Sequence, residues 1–447
     1  MDRWHKDFSL WWALLIGAFV RVLPLAMWQT DKCMRDECTY MSLANRLADG
    51  EGMNPSNNWI WAPGYPSLMA LHERLFGHPE AIVGTQIVLF SVAIVLGYQL
   101  AKDAGGLRAG RITAWLLACS PTLAFFAGHI WSESIYTTLL IAAVFSLGWA
   151  RKGSIWRALL PGVLVGGCVL FRGVATYMVP IFALAMLWQR WRDKSAWGGA
   201  ALLVLAGVMV VAPYSIYASQ KFGGLVISDA TMGQMMWLGN NLYEPITFDW
   251  GVGTLNTLKY NALLDTGRPH CSGKEYYGKA WDACEMEAAK EWIKANPGEF
   301  IRRIPQRWAQ LFNPNSFVTR HVRLDRWAEL PPWVTEPMLI ATIVLSYIAV
   351  LGGIIGAFAK GRGWLMMTTL LIVGYHVAAI GLVAGLSRYR VPLDALFLVW
   401  AGVFLADPKR ALDQVGQGGW RFWCMSALLL ICTPLMTWYL LPGYLPK

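Results

Sequence analysis

The sequence predicts an all-α polytopic membrane protein, and three observations carry that expectation. Of its 447 residues, 56% are hydrophobic and 15% are charged, where an average soluble domain is about 25% charged. Apolar runs of roughly 20 residues recur along the chain, each long enough as a helix to cross a hydrocarbon layer about 30 Å thick. When successive connections are assigned to alternate faces, the cationic clusters collect on one face, which is the positive-inside bias.

Eleven spans are expected, at about 8–28, 81–101, 110–127, 131–150, 156–171, 174–190, 196–217, 335–358, 363–385, 389–406 and 421–441. The first run, Phe8–Trp28, is longer than a signal-peptide core and lacks a small-residue cleavage site, so it reads as a spanning helix with a cytoplasmic N-terminus. The clusters Lys102/Arg108/Arg111, Arg151/Lys152/Arg157, Arg190/Arg192/Lys194, Lys360/Arg362 and Lys409/Arg410/Arg421 then share its side. The net charge of +10 therefore reports topology, and nucleic acid is not an expected partner. The division is a first helix (1–28), an outer segment (29–80), spans two to seven (81–217), a large outer segment (218–334) and spans eight to eleven (335–447).

Cys119, Cys168, Cys424 and Cys432 fall in spans, whereas Cys33, Cys38, Cys271 and Cys284 lie in the outer segments. In an oxidising compartment those four suffice for two disulfides, whose pairing the spacing leaves open. No spacing reads as a zinc site. No internal repeat is visible, which weighs against the repeat-built transporter folds.

In the first outer segment a helix is expected from Asp36 to about Asp49, stopped by Gly50 and Gly52, and a second after Pro66. In the second, a helix from about Asp282 to Ala295 ends at Asn296-Pro-Gly. The next stretch, "EFIRRIPQRWAQLF", puts Ile301, Ile304, Trp308 and Leu311 on one face and Arg302, Arg303 and Arg307 off it. That pattern suits either a helix at the membrane interface or one packed on the outer domain.

Chemistry is suggested where charge meets the spans. Asp36 and Glu37 in "MRDECTYMSLANRL" begin a helix, where acids cap free N–H groups and suit the macrodipole. Adjacent helical residues point about 100° apart, so at most one of the pair faces a given substrate atom. Trp59, Trp61 and Tyr65 in "WIWAPGYPSL" are either interfacial aromatics or a platform stiffened by Pro63 and Pro66. Glu133 opens the fourth span, Arg172 closes the fifth, and Arg388 and Arg390 open the tenth, all on the outer side, while Arg21 sits inside the first. Charges at membrane depth face partners or a cavity. Together they describe a cation-rich pocket suited to a phosphate. Asp-x-Asp, Walker, HExxH and GxSxG patterns do not occur.

The stretches "RDECTYMSLANRLADGEG", "WAPGYPSLMAL", "IWSESIYTTLL", "PGVLVGGCVLFRGVA", "WLGNN", "NPGEFIRRIPQRW" and "SRYRVPLDALFLV" occur in the order found in the GT-C superfamily of integral-membrane glycosyltransferases. The chain resembles in particular the group holding the protein O-mannosyltransferases and the bacterial lipid A aminoarabinose transferase. The resemblance implies the GT-C fold, a bacterial inner-membrane location with a periplasmic active site, and a polyprenyl-phosphate sugar donor. It implies Asp36 as catalytic base, Glu37 as a shaper of the site, and Arg172, Arg388 and Arg390 as donor-phosphate ligands. Tyr40, Trp61, Tyr65, Glu133 and Tyr389 complete the expected pocket. The acceptor is a lipid, a glycan or a protein. No cofactor is required, although Asp36 and Glu37 could join in binding a divalent metal. A charged phosphate leaving group needs no general acid, and one base with direct displacement predicts inversion. The alternatives are a polyprenyl-lipid flippase and a non-catalytic envelope-assembly subunit.

Overall fold

The computed structural model describes residues 7–27, 33, 36–53, 61–241, 271, 273–274, 278–314, 317–323, 331–360, 363–416 and 419–437. Trp59 lies outside them. Every regular element among the described residues is helical. The helices are α1 (Phe8–Met27), α2 (Asp36–Ala48), α3 (Gly64–Phe76), α4 (Ile82–Gly105), α5 (Leu107–Ala118), α6 (Pro121–Gly128) and α7 (Glu133–Ala150). They continue as α8 (Leu159–Phe171), α9 (Met178–Leu187), α10 (Lys194–Phe222), α11 (Met232–Gly239), α12 (Lys279–Ala295), α13 (Pro297–Phe312) and α14 (Phe317–Arg323). The last are α15 (Pro332–Tyr347), α16 (Gly353–Lys360), α17 (Trp364–Leu382), α18 (Val391–Ala406), α19 (Pro408–Gly416) and α20 (Trp420–Thr437).

Among the described residues, seven helical stretches are long and apolar enough to cross a membrane, and an eighth forms if α5 and α6, bent by 52°, count as one broken span. The expected spans at about 8–28, 156–171 and 174–190 fall on apolar helical stretches, Phe8–Val22 within α1, Ile155–Phe171 and Gly173–Leu187. A break at Ser120-Pro121 falls inside the third expected span, whereas the Arg172-Gly173 break falls between the fifth and the sixth. The two most enclosed crossings are Glu133–Ala150 and Ser387–Ala406. Both carry candidate charges at their N-terminal ends.

Small residues set the helix spacing near those charges. A Cβ added to Gly166 on α8 would stand 2.8 Å from the Gly207 carbonyl oxygen on α10, so only glycine permits that approach. One end of α8 is thereby fixed, and Arg172 follows it directly. Arg21, wholly buried on α1, donates to the carbonyls of Leu117 and Ala118 at 2.9 Å each, and to Gly17 at 2.8 Å. Those are the unsatisfied terminal carbonyls of α5, so this intramembrane cation caps a helix end.

The outer segments follow the sequence with small shifts. Helix α2 ends near Gly50 and Gly52, whose φ angles of 82° and 72° suit glycine. Helix α3 starts at Gly64, two residues before the expected proline. The disulfides are Cys33–Cys38, fastening the chain ahead of α2 to its first turn, and Cys271–Cys284, ahead of and within α12.

Helix α13 packs on the protein through Arg303 and Arg307 as well as through Trp308, whose Nε1 donates to the Val377 carbonyl at 2.9 Å, and the wholly buried Leu311. Arg303 is 4% and Arg307 3% exposed, while Ile301 is 64% exposed. Arg307 donates to the Gly381 carbonyl at 2.6 Å, the Gly239 carbonyl at 2.7 Å and Asn240 Oδ1 at 2.8 Å. Arg303 reaches the carbonyls of Gly239 and Asn241 at 3.3 and 3.2 Å. Helix ends leave such carbonyls without partners, and a guanidinium fork satisfies two segments at once. Arg307→Ala is expected to cost about 2–3 kcal/mol, since hydrogen bonds to charged groups are worth that much. Arg307→Lys should recover little of it, because an ammonium lacks the fork; thermal unfolding of the three proteins checks this.

At the start of α13, Arg302 and Arg303 both donate to Glu299 and hold its carboxyl down to about 2. A depressed folded-state value contributes stability above the ordinary 4.5 that is lost as pH falls through about 2. Glu299→Gln is therefore expected to melt below wild type at neutral pH and to converge with it under strong acid. Paired melts across that range test the sign.

Candidate active site

Four helix ends converge. Asp36 is the first residue of α2, Glu133 the first of α7, and Arg172 follows α8 with an extended backbone (φ −154°, ψ 129°). Arg388 lies in the short 3₁₀ turn Ser387–Arg390 that leads into α18. Arg388 Nη1 meets Asp36 Oδ2 at 2.7 Å, and its Nε pairs with Glu133 Oε1. Arg172 Nη1 reaches the same Glu133 oxygen at 2.7 Å and donates to Ser132 Oγ at 3.2 Å. Two guanidiniums and two carboxylates thus form one chain of charge, in which Glu133 braces both arginines.

Depth orders the four. The Asp36 side chain is 31% exposed, Arg172 12%, Arg388 9% and Glu133 fully enclosed. Pairing is what makes the buried members tolerable, because an isolated charge in such surroundings is very costly. Asp36 alone presents a carboxylate at an open rim with cations behind it. That is the geometry of a base beside an anion site.

Glu37 behaves as the 100° step demands. It is 5% exposed and turned inward, where its charge acts on Tyr65. One turn on, Tyr40 packs its ring 4.6 Å from Trp61 and 4.8 Å from Tyr65. Its phenol meets Ser132 Oγ at 3.5 Å. Tyr65 donates to Gln86 Oε1 at 3.0 Å, and the Gln86 amide donates to the carbonyls of Ala127 and His129. Burial pushes both phenols above the ordinary tyrosine value, so they stay protonated donors. Tyr40 and Tyr65 back the site, while Trp61 and Tyr389 keep partial exposure. The Tyr389 ring lies 6.0 Å from the Arg172 guanidinium.

Arg390 is placed elsewhere. It is 1% exposed, pairs with Asp394 at 2.8 Å, donates to Ser346 Oγ at 3.0 Å and reaches the carbonyls of Leu311 and Asn313 at 3.4 Å. In a helix of three residues per turn, positions two apart point about 120° from each other, so Arg388 and Arg390 serve different sides of the turn. Arg390 ties the end of α13 to α15.

Two residues of the site carry no mark in the sequence. The Asp229 carboxylate lies directly against the backbone of Gly173, beside Arg172, and accepts from Thr231 Oγ1 at 2.8 Å. Burial raises its carboxyl above the ordinary value, which Thr231 partly offsets. The Trp131 ring lies 4.0 Å from the Arg388 guanidinium carbon, in cation–π contact. Among the described residues no group of three or more His, Cys, Asp or Glu converges in a metal-holding arrangement. Between Asp36 and Glu133 stands a guanidinium.

Residues 61–217 match the family model described as dolichyl-phosphate-mannose-protein mannosyltransferase. That stretch holds Glu133 and Arg172, whereas Asp36 and Arg388 lie outside it. No curated protein matches the sequence. Among solved structures, the oligosaccharyltransferase of Archaeoglobus fulgidus tethered with an acceptor peptide containing the NVT sequon aligns at a TM-score of 0.56. It shares 14% identity, over 99% of this chain and 55% of that one. The oligosaccharyltransferase AglB from the same organism, in complex with an inhibitory peptide and a dolichol-phosphate, aligns at 0.54. It shares 15% identity, over 99% and 55% of the two chains. ArnT from Cupriavidus metallidurans bound to undecaprenyl phosphate aligns at 0.40, with 11% identity over 91% and 80%. The chain spans about half the length of the oligosaccharyltransferases it matches. The resemblance to the GT-C glycosyltransferases read from the motifs is borne out, and the fold is theirs.

Proposed function

We propose that the chain is an inverting glycosyltransferase, moving a sugar from a polyprenyl-phosphate donor to a hydroxyl on a lipid, glycan or protein acceptor. The reaction runs on the outer, periplasmic face of a bacterial inner membrane, with the N-terminus cytoplasmic. The observation that carries this reading is a rim carboxylate, Asp36, bonded to Arg388 and backed by Arg172. The relatives named above support it, since one family is named for dolichyl-phosphate-mannose and AglB was solved with a dolichol-phosphate.

The donor phosphate lies against Arg172 and Arg388, whose charged forks suit its oxygens. The acceptor hydroxyl enters at Asp36. Its oxygen forms a bond to the anomeric carbon as the bond from that carbon to the phosphate oxygen breaks. The electron pair stays on the phosphate, where the two arginines stabilise it, and the hydroxyl proton passes to the Asp36 carboxylate. Attack opposite the leaving phosphate inverts the carbon. Glu133 holds both arginines in place. Glu37, Tyr40 and Tyr65 hold α2 so that Asp36 faces the rim, and Trp61 and Tyr389 border the donor's path.

The test gives the purified chain a panel of polyprenyl-phosphate sugars with candidate acceptors and follows released polyprenyl phosphate by mass spectrometry. Sugar-dependent release of polyprenyl phosphate, with the sugar recovered on an acceptor in the opposite anomeric form, is expected. Tight lipid binding without release from any donor and acceptor pair would sink the reading and favour a flippase.

A further inference from the structure

Two buried polar atoms beside Arg388 have no partner among the described residues: Trp131 Nε1 and Glu133 Oε2. Trp131 is 4% exposed and Glu133 wholly enclosed, and they stand two positions apart, Trp131 just ahead of α7 and Glu133 its first residue. Both gather round one guanidinium, which lies over the indole at 4.0 Å and pairs with the other Glu133 oxygen. The indole itself is locked edge-on to Phe317 at 5.3 Å and Phe126 at 6.2 Å. Buried polar groups are almost always paired, and an unpaired one is costly, so a ligand that supplies both partners is favoured here.

The indole N–H can only donate and the carboxylate oxygen can only accept. A hydroxyl answers both, accepting from the first and donating to the second. A phosphate oxygen cannot satisfy Glu133, since two acceptors repel. Resting on the transferase reading above, we infer that Trp131 Nε1 and Glu133 Oε2 grip one ring hydroxyl of the transferred sugar, which makes Trp131 a specificity-determining residue. The sugar is the source because the pair is buried beside Arg388. A phosphate held by Arg388 is bonded directly to the sugar's anomeric carbon, whereas the acceptor reaches Asp36 at the exposed rim.

The experiment uses the full chain in lipid nanodiscs, a polyprenyl-phosphate sugar that it turns over, and the monodeoxy analogues of that donor, each lacking one ring hydroxyl. Wild type is expected to use one analogue roughly tenfold to a hundredfold less well in kcat/KM, the loss that leaving buried partners unpaired produces. Trp131→Phe keeps a ring beneath Arg388 but no N–H. It is expected to lose about tenfold on the parent donor and almost nothing on that analogue, so the discrimination collapses. Equal use of every monodeoxy donor by wild type overturns the inference without any variant, because the two groups would then hold only water. An unchanged discrimination ratio in Trp131→Phe also overturns it. So does discrimination confined to deoxygenated acceptors. Release from no donor at all is a different failure, that of the transferase reading, and this inference falls with it.

Discussion

Asp36→Asn is expected to slow sugar transfer by about 10²–10⁴-fold, the contribution of a positioned base. Donor affinity should change by only a few-fold. The carboxamide keeps the shape of the side chain, and its oxygen can still accept from Arg388, which meets Asp36 at 2.7 Å. What it loses is the capacity to take a proton. The side chain is 31% exposed, so folding should survive the change. Release of polyprenyl phosphate and binding of the lipid, measured on the same preparation, separate the two effects. Equal release by both proteins would move the base to another carboxylate, Glu37 or Glu133.

Arg388→Ala should be more damaging, because it acts on chemistry and on folding together. Removing one donor aimed at developing charge costs about 10²–10³ in rate. Among the described residues, the same substitution leaves Glu133, buried without exposure, paired with Arg172 alone, and removes the cation that Asp36 meets. Breaking a buried pair by deleting one partner costs about 3–5 kcal/mol, and the surviving Arg172 contact should hold the loss near the lower figure. The double variant Arg388→Ala/Glu133→Gln then becomes the discriminating measurement. It should recover much of the thermal stability and none of the turnover. A single variant that is both stable and active would remove Arg388 from the phosphate site.

Much of this site could be read in the chain because charge in an apolar sequence is conspicuous. Asp36, Glu133, Arg172 and Arg388 each mark the end of an apolar run, and those ends meet. The divergence of Asp36 from Glu37 followed from helix geometry alone. Other features were not legible, for physical reasons. Periodicity in "EFIRRIPQRWAQLF" marked two faces, yet it could not say that Arg303 and Arg307 are buried along with Leu311 while Ile301 stays exposed, because the arginines' partners are carbonyls of distant segments. Arg390 looked identical in kind to Arg388, and only the backbone turn separates their partners. Trp131 and Asp229 are ordinary in sequence, and what distinguishes them is contact with Arg388 and with Gly173, across large separations in the chain. The bend inside the third expected span, at Ser120-Pro121, was not visible in its apolar composition.

The three-residue unit Arg388-Tyr389-Arg390 has a consequence for how damage here would look in a living cell. One arginine faces the carboxylates at the site, and the other is sunk among Asp394, Ser346 and the end of α13. Alleles at the second should act mainly through abundance: less protein in the membrane, each surviving copy working normally, and rescue by overproduction or lower growth temperature. Alleles at the first should lower abundance too, but there overproduction or lower growth temperature should restore the protein without restoring transfer. Two neighbouring arginines with the same letter would then sort into different genetic classes, one cured by restoring dosage and the other not.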